Sequence, residues 1–215
     1  MNSSKKRYSL GEEIFNSVFH GLAAGLAVAG TVILIVFSAI YQNAWAVVSA
    51  SVYGSSLIIL YTMSTLYHAL PKFNAKKVFR VLDHNAIFFV IAGTYTPYTL
   101  VVLRGALGWT LFAVVWVAAI VGIVLNSVNL EKFRIFSLIS YFSMGWVILI
   151  AIKPLSQSLS TFSLVLLFVG GALYTLGAIF YALRKHKYMI SLWAMFVVAG
   201  SVLHYLSIFS AITKH

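Results

Sequence analysis

An all-α membrane protein, a bundle of seven transmembrane helices, is the fold class this sequence predicts, and three observations predict it. Of 215 residues, 61% are hydrophobic and only 9% charged, where a soluble domain carries about 25% charged residues. Apolar runs of about 20 residues, the length that crosses hydrocarbon at a rise of 1.5 Å per residue, recur along the whole chain. Lysine and arginine crowd every second connection, the charge asymmetry that orients membrane helices.

The seven spans fall at 14–40, 45–70, 81–103, 108–126, 135–152, 159–183 and 189–212. Residues 1–13 then form an N-terminal segment, and 14–212 a single transmembrane domain with short connections and no Gly/Pro/Ser-rich linker. The polar start runs straight into an apolar stretch too long for a signal-peptide core, so no cleavable signal is expected. Pro71 should end the second span and Pro97 should kink the third. Gly21, Gly25 and Ala29, four apart, offer a small-residue face for close helix approach.

On one side of the membrane lie Lys5, Lys6, Arg7, Lys72, Lys76, Lys77, Arg80, Lys132, Arg134, Arg184, Lys185 and Lys187; on the other lie Arg104, Lys153 and Lys214. Twelve against three puts the N-terminus in the cytoplasm and the C-terminus outside, in the cell (plasma) membrane. The net charge of +11 is thereby explained by topology and anionic headgroups, and no nucleic-acid partner is expected. With no cysteine in the chain, disulfides and thiolate metal sites are excluded.

Ionisable side chains inside hydrocarbon cost a few kcal/mol each, so the few present need a reason. Glu13, Asn16 and His20 open the first span on one helical face. Ser64 and His68, four apart, close the second, and Asp83 and His84 open the third; His204 lies deep in the seventh. Except for His204, all of them fall at the cytoplasmic end. Two readings fit this cluster: an interhelical hydrogen-bond network that fixes helix register, or an imidazole-based zinc site with Asp83 beside a bound water.

The segments "EEIFNSVFHG" (12–21), "STLYHALP" (64–71), "LDHNAIFFVIAGTYTPY" (82–98) and "LWAMFVVAGSVLHYL" (192–206) closely resemble the bacterial hemolysin III family, within the progestin and adipoQ receptor (adiponectin-receptor-like) superfamily. The resemblance runs over residues 8–212. It implies a zinc ion near the cytoplasmic face, held by one histidine of a Ser-x-x-x-His motif and two of a His-x-x-x-His motif on the seventh helix. Carried over, the first ligand is His68 with Ser64 as its motif partner, and Asp83 is the acid that holds the zinc-bound water. Glu13, Asn16 and His20 match the family's first-helix motif. Superfamily members are proposed to be zinc-dependent hydrolases of lipid amides such as ceramides, so membrane lipids, a ceramide-like one among them, are the implied partners.

In "ISLWA" (190–194), however, Ile190 and Ala194 occupy the two seventh-helix ligand positions, and neither side chain can bind a metal. The expectation is a zinc-hydrolase-like site that is metal-deficient and inactive in this form, with His68 as a residual ligand. Without the metal, His68 and Asp83 are expected to pair. Among the remaining polar residues, His20 is the one placed to reach the site; His204, fourteen positions beyond Ile190 and thus about 21 Å along the helix, is not. The alternative functions are a non-enzymatic membrane sensor or homeostasis regulator, or a cytolytic pore-associated protein. The almost wholly apolar outer halves of the spans argue against a water-filled pore.

Overall fold

The computed structural model describes residues 9–71, 74–183 and 186–213. Lys5, Lys6, Arg7, Lys72, Arg184, Lys185 and Lys214 of the charge asymmetry lie outside the described residues, as does most of the N-terminal segment. Seven helices are long and apolar enough to cross a membrane: α1 Leu10–Tyr41, α2 Ala44–Ala69, α3 Asn74–Leu103, α4 Gly105–Asn129, α5 Arg134–Ser158, α6 Thr161–Ala182 and α7 Met189–Thr213. The described residues contain no strand. Short connections make consecutive helices antiparallel. α6 and α7 pack on each other, and α7 returns to α1 to close the bundle.

Local chemistry sets the boundaries. α1 starts at Leu10 rather than 14 because Ser9 and Glu12 form a reciprocal capping box: the Ser9 side chain accepts from the Glu12 amide, and the Glu12 carboxylate accepts from the Ser9 amide. Asn43 caps α2 and Ser160 caps α6 through side-chain oxygens that accept from first-turn amides, without a reciprocal partner. α2 ends before Pro71, with Leu70 extended at ψ 136°, the conformation a following proline imposes. α3 begins at Asn74, seven residues earlier than the hydropathy suggests. Its first two turns carry Lys76 and Arg80, whose charges are met by Glu13 and Glu131.

Pro97 does not end α3. It has no N–H to continue the ladder, and the six residues after it, Tyr98–Leu103, form a π-helical turn. α5 is interrupted by a 3-10 segment, Val147–Ala151. The Tyr95 hydroxyl is inserted there: it donates to the Met144 carbonyl at 2.6 Å and accepts from the Ile148 amide at 2.9 Å. It thus replaces the i→i−4 bond that would have joined those two groups.

The helices meet at small residues. A Cβ on Gly54 of α2 would fall on the Thr31 side chain of α1, and one on Gly122 of α4 would fall on the Phe88 ring of α3. The expected Gly21/Gly25/Ala29 face is not the one α1 uses. Gly25 and Ala29 are exposed, and the buried face runs through Ala23, Ala27, Thr31, Leu34 and Ser38. The Thr31 and Ser38 hydroxyls return to carbonyls four residues back, at 2.6 and 2.7 Å. They therefore enter the contact as small, satisfied groups.

Candidate functional site

The antiparallel order gathers the first turn of α1, the last of α2 and the first turns of α3 and α7 at one end of the bundle. Two acids from adjacent positions of α1 take different roles there. Glu12 is buried; besides its capping box, it accepts the Tyr188 amide at 2.6 Å, tying the start of α1 to the entry of α7. Tyr188 holds a left-handed φ of 66°, which costs a non-glycine residue about 1–3 kcal/mol. Glu13 accepts from His68 Nδ1 at 2.9 Å and from Lys76 Nζ at 2.8 Å, so α1, α2 and α3 share one charge cluster. A carboxylate removed from water needs such partners.

The expected His68–Asp83 pair is replaced by other pairings: His68 finds its carboxylate on α1, in Glu13. Asp83 accepts from the Ser64 hydroxyl and has His84 Nδ1 at 3.7 Å. His84 Nδ1 donates to the Arg80 carbonyl at 2.8 Å, and its Nε2 meets the Tyr181 hydroxyl at 3.1 Å. His20 Nδ1 donates to the Asn16 carbonyl at 2.8 Å, and the His20 and His68 rings lie parallel with centroids 6.1 Å apart. In a neutral ring that donates through Nδ1, Nε2 carries the lone pair, the tautomer an imidazole ligand uses. Asn16 is fully buried one turn before His20, and neither its Oδ1 nor its Nδ2 has a hydrogen-bond partner among the described residues.

These groups surround a cavity of about 50 Å³, lined by His20, Ser64, His68, Asp83 and His84 with Tyr67, Tyr181 and Trp193, and also by Ile190 and Ala194. It has room for on the order of three waters. Five of the polar residues singled out in the sequence therefore share one space, and both apolar seventh-helix positions stand in its wall. Glu13 acts one layer out, through His68. His204 lies elsewhere, along a second cavity.

The donors here do not fit a zinc ion held by three protein side chains. Two of the wall positions implied as ligands are hydrocarbon, and among the described residues no three His, Cys, Asp or Glu side chains are grouped to hold a metal. Sequence reasoning missed Glu12, Lys76 and Tyr181. For Glu12 a signal existed, the Ser-x-x-Glu spacing of a capping box. Lys76 was legible only as topological charge, and nothing in the sequence marks Tyr181.

Fold and site together define a multi-pass, seven-helix membrane protein with a small cavity at one end of the bundle that gathers several polar side chains. The chain belongs to the haemolysin-III related family, whose family model matches residues 8–205. It is 43% identical over 192 residues to Hemolysin-3 of Bacillus cereus, covering 89% of this chain and 88% of the relative. It is 42% identical over 194 residues to the Hemolysin-3 homolog of Bacillus subtilis (strain 168), covering 90% and 91%. More distantly it matches the monocyte to macrophage differentiation factor of Homo sapiens, 26% identical over 206 residues, covering 92% of this chain and 83% of that one. No solved structure matches the chain.

Proposed function

We propose that this chain carries, on an intact hemolysin III scaffold in the plasma membrane, a cytoplasm-facing cavity built like that of a zinc-dependent lipid amide hydrolase and metal-deficient in this form. The observation that carries the reading is the position of Ile190 and Ala194. Both line the cavity that also contains His68, Ser64 and Asp83, as ligand positions emptied of donors would. Zinc, where bound, would supply a Lewis acid and a water of lowered pKa. The residues that remain have narrower roles. Glu13 orients the His68 ring through Nδ1, and the Ser64 hydroxyl holds the Asp83 carboxylate in place. The basic excess on one side of the spans supports a cytoplasmic N-terminus.

The test is product formation from a long-chain ceramide in nanodiscs, comparing the chain with an Ile190→His/Ala194→His double variant supplied with zinc. The reading predicts no turnover by the chain and measurable amide cleavage by the variant. Turnover by the unmodified chain contradicts it.

A second reading is a non-enzymatic membrane regulator, favoured by the hydrocarbon in place of the two ligands. The names of the two Bacillus relatives suggest lysis instead. Dye efflux from liposomes containing the purified chain separates the two: release above empty liposomes supports lysis, and silence supports regulation.

A further inference from the structure

A second cavity, of about 130 Å³, lies deeper in the bundle between α3, α5, α6 and α7. Its volume is close to that of a cavity of ~150 Å³ that stays dry and binds benzene. Among the described residues no Lys, Arg, Asp or Glu lines it, and its walls include Phe142, Trp146, Phe168 and Trp193. Gly145 lines it and is also exposed, so the space reaches the outer surface of α5, where a membrane-spanning helix meets lipid.

The polar groups in this wall differ in one respect. Thr94 donates to the Val90 carbonyl, Tyr95 to Met144, Tyr98 to Ser207, Tyr141 to the His84 carbonyl and Thr175 to the Gly171 carbonyl, while Tyr174 bonds Ser201. Among the described residues, the His204 ring and the Trp193 indole N–H are the side-chain groups of this wall that make no hydrogen bond. His204 is 6% exposed and its ring lies against Tyr174 at 5.2 Å; neither ring nitrogen has a hydrogen-bond partner among the described residues, Nδ1 being closed off and Nε2 the nitrogen that keeps accessible surface. A buried polar atom left unpaired is unfavourable, and in hydrocarbon no bulk water is at hand to relieve it. The imidazole therefore stands in a ring-sized apolar space with unused hydrogen-bonding capacity.

We propose that this cavity binds a neutral, ring-sized amphiphile carrying one hydroxyl group, which hydrogen-bonds to the imidazole of His204. The apolar walls exclude an ionised ligand, and the aromatic side chains suit a flat ring. A hydroxyl is a neutral group that a ring nitrogen of His204 can bind. This assignment is independent of the metal reading, because it uses none of Ser64, His68, Asp83, Ile190 or Ala194.

The test uses 4-bromophenol and 4-bromotoluene, which match in shape and differ by hydroxyl against methyl; bromine quenches tryptophan fluorescence in both. Two of the five tryptophans, Trp146 and Trp193, line the cavity. Each probe is titrated into the chain in nanodiscs, with concentrations counted in the lipid phase and the linear background of membrane quenching subtracted. Both should quench saturably, with 4-bromophenol bound about fivefold tighter, the worth of one hydrogen bond. A His204→Leu variant should bind both equally, at the 4-bromotoluene affinity. Equal affinities in the unmodified chain, or no saturable quenching by either probe, overturn the proposal without recourse to any variant. A preference that survives His204→Leu overturns the role of His204.

Discussion

Glu13 carries two cationic or protonatable partners at once, His68 on α2 and Lys76 on α3. Replacing it with glutamine keeps the shape and removes the charge. Glu13→Gln is expected to lower stability by about 1.5–3 kcal/mol, the range for hydrogen bonds to charged groups, read as a fall in Tm in detergent. No change in Tm would mean that the cluster is held by its backbone alone. The sequence placed Glu13, Asn16 and His20 on one face from spacing, because α-helical periodicity is local. It did not reveal that Glu13 bonds a histidine 55 positions away, since that depends on how α1 and α2 dock. The expected His68–Asp83 pair failed for the same reason: on each helix a nearer partner was available, Glu13 for one and Ser64 for the other.

At the scale of elements, the spans were legible because a run of about twenty apolar residues is too long for an ordinary buried core helix and matches the thickness of hydrocarbon. What hydropathy could not mark is where polar chemistry extends or interrupts a helix. α3 gains two turns from Lys76 and Arg80, which find carboxylates. α5 is interrupted where Tyr95 intervenes, and a hydroxyl on another helix leaves no trace in the sequence of α5. Tyr95→Phe should therefore leave the Ile148 amide without its acceptor. The predicted outcome is a loss of about 1–3 kcal/mol and faster hydrogen exchange at Ile148, with neighbouring amides of α5 unchanged. The α3–α4 contact makes a second prediction. Gly122→Ala would drive a methyl into the Phe88 ring and should cost about 1–3 kcal/mol by overpacking. Gly25→Ala, where a Cβ meets nothing within 4 Å, should be without cost or stabilising by up to about 1 kcal/mol in the same thermal assay.

For the whole molecule, topology and chemistry meet at one end of the bundle. The absence of cysteine makes the orientation directly measurable with a membrane-impermeant thiol reagent on intact cells. A cysteine replacing Arg104 should be labelled, and one replacing Lys77 should react only after lysis; the reverse pattern would invert the bundle. The family and the seven helices were legible from four motifs in register. The cavity itself was not legible, because it exists only where several helices converge. Its central feature is that Ile190 and Ala194 stand in the wall beside His68. That feature is best probed by zinc content per chain, measured by elemental mass spectrometry of the purified protein beside its Ile190→His/Ala194→His variant. A wall emptied of donors predicts no stoichiometric zinc in the chain and about one zinc in the variant, the restored donor set closing a three-ligand site. Stoichiometric zinc in the unmodified chain would contradict it and would require ligands other than the seventh-helix pair.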